Sequence, residues 1–383
     1  MRLLLLTCLI LVATLPCVAE EAPEVRPVVV ENMRINPFTG AMLGEIDDSK
    51  GFGYAAPVGG KPGQFRLRNF REEGWALHVD AATGKARKVH TFALGKDSRV
   101  TCYSDDGDAK WSRSLPTRFN IYRGPALLRN DDSIFAAHVA GVSCFEAETG
   151  ELRWDSDGES DRLCLFGKLL LAGECSNLRE KDKRRILARS VEDGAEAWSV
   201  EVPHQLEIGS ISAVGDHALA VSDEVTNDPW SWFIDARGKV TLKLKEIVHH
   251  ALPVGEDWLI ASTKRIALLH RDGKPVWEFA NEGDSAYDLG DCRLTIDGEA
   301  LYLHSWMPIA DSGTLMKRFD MKTGKQAWSH GCQHLGVPHS AYLHHVYVEF
   351  RDDKLVVVSQ GASGWFIEVL AAKDGKQLHR WRD

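Results

Sequence analysis

A turn glycine followed four residues later by tryptophan occurs five times: Gly107 and Trp111, Gly150 and Trp154, Gly194 and Trp198, Gly273 and Trp277, Gly324 and Trp328. Gly84, Gly238 and Gly375 sit in the same context, with Lys88, Leu242 and His379 in place of the indole. The surroundings, such as EAETGELRW, HRDGKPVW and DMKTGKQAW, each lead a strand-like run into a turn and out again. Glycine accepts the positive φ that such turns require. Successive glycines are 23, 43, 44, 44, 35, 51 and 51 residues apart. A period near 44 accommodates four strands of about five or six residues with their turns.

A second hairpin precedes the glycine hairpin in most repeats. GPALLRNDDSIFAAHVAGVSCFEAETGELRW reads strand, turn, strand, link, strand, turn, strand. One such sheet cannot bury its apolar faces alone, but sheets arranged around an axis bury them on each other. The expectation is an all-β, eight-bladed propeller of four-stranded antiparallel blades, with seven blades as the alternative count. INPFTG, ending at Gly40, reads as a degenerate extra turn, and RPVVVE (26–31) as a strand pairing with the last blade. Helical periodicity is nearly absent after the first residues.

Residues 1–19 are set apart. Arg2, an apolar run from Leu3 to Leu15, Pro16 and small residues before Glu20 have signal-peptide architecture. Cys17 follows Pro16, which disfavours lipid attachment. The expectation is a secreted or periplasmic product with one propeller domain over 20–383 and no transmembrane segment. Six cysteines then remain where disulfides persist. Cys164–Cys175 is the most plausible local bridge, and buried thiols are the equal alternative. A net charge of −9 without a basic stripe argues against nucleic acid.

With glycine, turn and tryptophan in place, the chain resembles the pyrroloquinoline-quinone-like propeller repeat, whose pattern is Ala-x-Asp-x-x-Thr-Gly-x-x-x-Trp. Asp80, Thr83 and Gly84 match it, as do Asp320, Thr323, Gly324 and Trp328; Thr149, Gly150 and Trp154 match with Glu146 for the aspartate. The resemblance implies that the tryptophans are docking pegs against the turn of an adjacent blade. It also implies one of two classes, quinone-dependent dehydrogenases or cofactor-free binding proteins. Among the latter, the chain is similar in size and repeat number to the propeller subunit of the outer-membrane barrel-assembly machinery. The dehydrogenases carry a vicinal cysteine pair beside the quinone, and no Cys-Cys occurs here.

Other candidate chemistry is sparse. SHGCQHLGVPHSAYLHHVY gathers His330, Cys332, His334, His339, His344 and His345, donors that zinc or copper prefers. Alternation would put His330, Cys332 and His334 on one strand face. No known zinc spacing is matched, the plainer reading is a polar rim loop, and no metal or cofactor is assigned. Asp155, Asp157, Glu159 and Asp161 form an incomplete calcium pattern. Trp230 and Trp232 lie outside the repeated position and offer an aromatic anchor for a partner or a sugar ring. No nucleophile motif is legible. The expected function is non-catalytic: a monomeric scaffold that engages a protein or carbohydrate partner in the cell envelope through its loops and funnel. The alternative is a quinone- or metal-dependent oxidoreductase with its site in the funnel.

Overall fold

The repeated turns are closed by side chains that the motif itself supplies. In this computed structural model the Thr83 amide and hydroxyl donate to Asp80 at 2.9 and 3.1 Å, and those of Thr323 to Asp320 at 2.8 and 2.7 Å. The amides of Gly84, Gly150 and Gly324 then reach back to the carbonyls of Asp80, Glu146 and Asp320. The aspartate thus serves the turn's own donors, which is why it stands three residues before threonine. These donors lower both carboxyl pKa values, the Thr83 amide above all at Asp80 and the Thr323 hydroxyl above all at Asp320. The turns at Gly238 and Gly273 are one residue shorter, and each glycine amide bonds only three residues back.

The structure describes residues 26–46, 52–58, 61, 63–69, 75–90, 93–94, 98–103, 109–116, 127–158, 160–174, 184–203, 208–222, 229–280, 293–306, 314–332, 345–361 and 364–382. The signal-like segment, Gly107 and Cys175 lie outside them. The described residues form nine antiparallel sheets, over 28–45, 52–90, 93–114, 127–157, 160–202, 208–244, 248–280, 293–331 and 345–382. Seven have four strands; the first and third have three. In all nine, hydrogen-bonded neighbours are consecutive in sequence, so each sheet is a meander. The seven described repeat glycines fall in the second sheet and in the fourth to ninth, and the Gly40 turn supplies the first. No helix among the described residues is long and apolar enough to cross a membrane.

The core is distributed over the seams. Val100, Trp111, Ile134 and Phe145 join the third sheet to the fourth; Phe135, Trp154 and Leu170 join the fourth to the fifth. Leu171 and Trp232, then Phe233 and Trp258, carry the series to the seventh sheet. Trp277 and Phe319, then Trp328 and Phe366, carry it to the ninth. This is the packing of a propeller, in which each sheet buries both faces on its neighbours.

The ends meet differently from the sequence expectation. Val28–Val30 does not pair with the last sheet; it pairs with Met33–Ile35 in the first. All three valines are buried, packed with Phe65 and Leu67 of the second sheet and Val356 and Val358 of the ninth. A strand wedged between two sheets uses both faces for packing, so its tie to the last sheet runs through side chains. The Tyr347 hydroxyl donates to Val29 O at 2.8 Å, and Arg351 donates to Arg26 O and Pro27 O. Gln360, fully buried, donates to Ala55 O at 2.8 Å while its oxygen accepts from Glu31 N at 2.9 Å. Gln360→Leu removes the donor to the buried Ala55 O and the acceptor of Glu31 N. It is expected to lower stability by about 2–4 kcal/mol, read as a lower urea midpoint, since each unmet buried group costs roughly 1–3 kcal/mol. A loss below about 0.5 kcal/mol would show that the closure does not depend on this amide.

Candidate functional site

Each repeated indole rests on the turn glycine of the following sheet. A Cβ added at Gly150 would lie 2.4 Å from the Trp111 ring; at Gly194, 2.7 Å from Trp154; at Gly324, 2.4 Å from Trp277; at Gly375, 2.6 Å from Trp328. The same indoles donate Nε1–H to the carbonyls of Ala147, Val191, Met321 and Ala372, each three residues before that glycine. Trp198 sits on Gly238 and donates to Ala236 O, two residues before it, because that turn is shorter. Leu242 takes the corresponding place against Gly273, and Arg34 covers Gly84. A sixth indole escaped the four-residue spacing: Trp381 covers Gly40 and donates to Pro37 O at 2.9 Å. INPFTG is therefore a complete docking turn, with Asn36 accepting the Phe38 and Thr39 amides as aspartate does elsewhere. Trp381 could have been found by allowing one more period-two step beyond His379.

The concentration of chemical side chains lies one step further along the eighth seam. Trp328, His330 and Cys332 alternate along or just past the strand Gln326–Gly331 and share the face toward the ninth sheet. Glu368 meets them from Gly364–Ala371, on the face that also presents Phe366 and Leu370. Its carboxylate is fully buried. His330 donates Nε2–H to Oε2 at 2.8 Å, and Arg380, directly across the ladder, reaches Oε1 at 3.1 Å. One ligand atom from each of His330, Cys332 and Glu368 lies within 4.8 Å of the others. Burial, reinforced by the Glu368 charge, pushes the Cys332 thiol well up. His330 and Cys332 stood out in the sequence; Glu368 did not, although one acid inside the apolar run GWFIEVLA was a signal. His334, His339 and His344 lie outside the described residues.

Other candidates resolve into structure. Trp232 is buried between the fifth and sixth sheets, and Lys243 Nζ lies 3.9 Å from the Trp230 ring centre. Neither indole offers a bare face to a sugar. Glu159 and the Asp161 side chain lie outside the described residues, and Asp155 and Asp157 join no converging donor group among them. Cys164 carries no disulfide; it is a buried free thiol, like Cys102, Cys144 and Cys332, which overturns the expected Cys164–Cys175 bridge. Each of the four thiols belongs to a seam cluster, where an apolar sulfur packs well. His138 and Ser143 form a buried pair at 3.0 Å, yet Ala140 N–H donates to His138 Nδ1. Nε2 then carries the proton and donates to serine, the wrong tautomer for a general base.

Two histidines of the seventh seam give the molecule a pH signature. Burial first, then Arg293, pushes His250 down to about 4, and Leu294 N–H donates to its Nδ1 at 2.9 Å. His304 is pushed down to about 4 by burial, then by Arg293 and His250. Both are neutral when folded and titrate near 6.5 when unfolded. Their contribution is therefore intact above pH 6.5 and is lost as pH falls toward 4, because the unfolded chain binds more protons there. Urea midpoints should fall through that window. His304→Gln should flatten the fall by up to about 1.4 kcal/mol per pH unit. An unchanged slope would mean that His304 titrates normally.

Meander sheets seamed by indole on glycine define a propeller of the pyrroloquinoline-quinone-like class. Residues 96–225 and 230–383 match the family described as outer membrane protein assembly factor BamB, and the chain belongs to that family. Among solved structures it is similar to a eukaryotic initiation factor, at 10% identity over 87% of this chain and 88% of that chain, with a TM-score of 0.56. It is also similar to BamB from Moraxella catarrhalis, at 15% identity over 76% and 80% of the two chains, with a TM-score of 0.45. Quinohemoprotein alcohol dehydrogenase from Comamonas testosteroni is similar at 11% identity over 77% and 65%, with a TM-score of 0.46. No curated protein matches.

Proposed function

We propose that the protein is a non-catalytic scaffold of the cell envelope that binds another protein as a monomer. The observation that carries this reading is the family match over residues 96–225 and 230–383, whose description is an assembly factor. The side-chain chemistry supports it. Several buried polar groups are engaged in structure: Gln360 joins the ninth sheet to Ala55 and Glu31, His138 pairs with Ser143 within the fourth sheet, and Glu246 bonds Ser262 and Arg265. The cysteine pattern does not suit a quinone enzyme. A protein partner is favoured over a carbohydrate because Trp232 is buried and Lys243 covers Trp230. Exposed apolar side chains recur on outer strands just after the turn glycine, at Leu152, Val276 and Leu378. They give a partner repeated apolar contacts along the rim.

The test is capture from an envelope extract with the purified chain as bait. Specific envelope proteins should be retained, and fewer after a combined Leu152→Lys, Val276→Lys and Leu378→Lys substitution. In parallel, pyrroloquinoline quinone and calcium should support no dye reduction with alcohols or sugars. Turnover in that assay, or capture no different from control, would overturn the reading.

A further inference from the structure

We propose that His330, Cys332 and Glu368 form a binding site for one zinc ion, stapling the eighth sheet to the ninth. The donors are an imidazole nitrogen, a sulfur and a carboxylate oxygen, the set from which protein zinc sites are built. They come from two sheets held in register by Trp328 on Gly375 and by its bond to Ala372 O, so the site is organised before any ion arrives. Three protein ligands leave a fourth position for water or a partner's side chain.

The thiol is the telling group. Cys102 and Cys164 donate to backbone carbonyls, whereas Cys332, only 7% exposed, has no hydrogen-bond acceptor among the described residues and faces His330 and Glu368. A tetrahedral ion with bonds of about 2.0–2.3 Å holds its donors about 3.3–3.8 Å apart. The atoms here already lie within 4.8 Å, and the shortest pair, Nε2 to Oε2, is 2.8 Å. Zinc would enter between that pair, displacing the Nε2 proton to solvent, and draw in Sγ, whose proton is likewise released to solvent on ligation. Arg380 keeps Oε1 and orients the carboxylate from behind, the role outer-shell partners play in metal sites. His330, partly exposed at 19%, opens the way in from solvent.

The experiment uses the full chain, stripped with chelator and titrated with zinc or cobalt alone. The expected result is one zinc per chain after gel filtration, and with cobalt a sulfur-to-metal charge-transfer absorption in the near ultraviolet. Cys332→Ser should abolish that absorption and weaken zinc binding at least tenfold. His330→Gln, at a position that tolerates polarity, should weaken zinc to the same degree and serves if serine at 332 unfolds the seam. Matching circular dichroism of the metal-free variants establishes that they are folded. Wild type that retains no zinc, cobalt binding without the thiolate band, or zinc held equally by the folded variants would each overturn the proposal. None of these readouts depends on a partner, so the scaffold reading stands or falls separately.

Discussion

Replacing Trp328 by alanine is expected to destabilise the chain by about 3–5 kcal/mol, the range for a large aromatic removed from a packed core. The indole fills the eighth seam, its ring over Gly375 and 6.1 Å from Tyr302, and its N–H satisfies Ala372 O at 3.1 Å. Truncation removes the apolar contact and leaves the carbonyl without its indole donor; Tyr302 O–H, at 3.3 Å from the same oxygen, compensates only in part. Urea denaturation followed by tryptophan fluorescence and by circular dichroism measures the loss. Trp381→Ala, at the closing seam, should cost less, because that indole is only partly buried. Equal losses would show that burial does not rank the pegs.

Gly141→Ala should do comparable damage by the opposite route. A Cβ at Gly141 would lie 1.6 Å from the Ser156 backbone oxygen, and φ is +155°. No rotamer can relieve a clash with backbone. The strand Gly141–Glu146 would have to separate from Leu152–Asp157, between which Gly141 pairs with Asp157. The expected loss is about 3 kcal/mol or more, combining overpacking with an unfavourable φ. Alanine at Gly167 is the control: its φ is +58° but no atom lies within 4 Å, so only the conformational penalty of about 1 kcal/mol applies. If the two substitutions cost the same, the clash is absorbed by a shift of the strands.

Much of the fold was legible because the repeat carries its own physics. Asp80, Thr83 and Gly84 form a turn from contacts among themselves, and a local turn needs no distant partner to be read. Trp111, Trp154, Trp198, Trp277 and Trp328 were legible as a repeated set because one spacing places them all, and the resemblance supplied their role against the turns. Trp381 was not, because it lies six residues past Gly375 and its partner Gly40 is at the other end of the chain. The wedged strand Val28–Val30 was read as a partner of the last sheet because three valines signal a buried strand without saying which edge is paired. Cys164 and Cys175 were placed together by a hairpin, yet Cys164 turns into the seam with Phe166 and Ile186.

The sequence by itself determined that the chain is a series of meander sheets with recurring glycine turns, five of them followed by an indole, since turn chemistry and strand alternation act over a few residues. Only the tertiary structure decided which glycine each indole covers, how the two ends lock through Gln360 and Tyr347, and that Glu368 meets His330 and Cys332 across a seam. Those pairings join residues tens to hundreds of positions apart. They are set by how sheets stack on one another, an arrangement that no local pattern encodes.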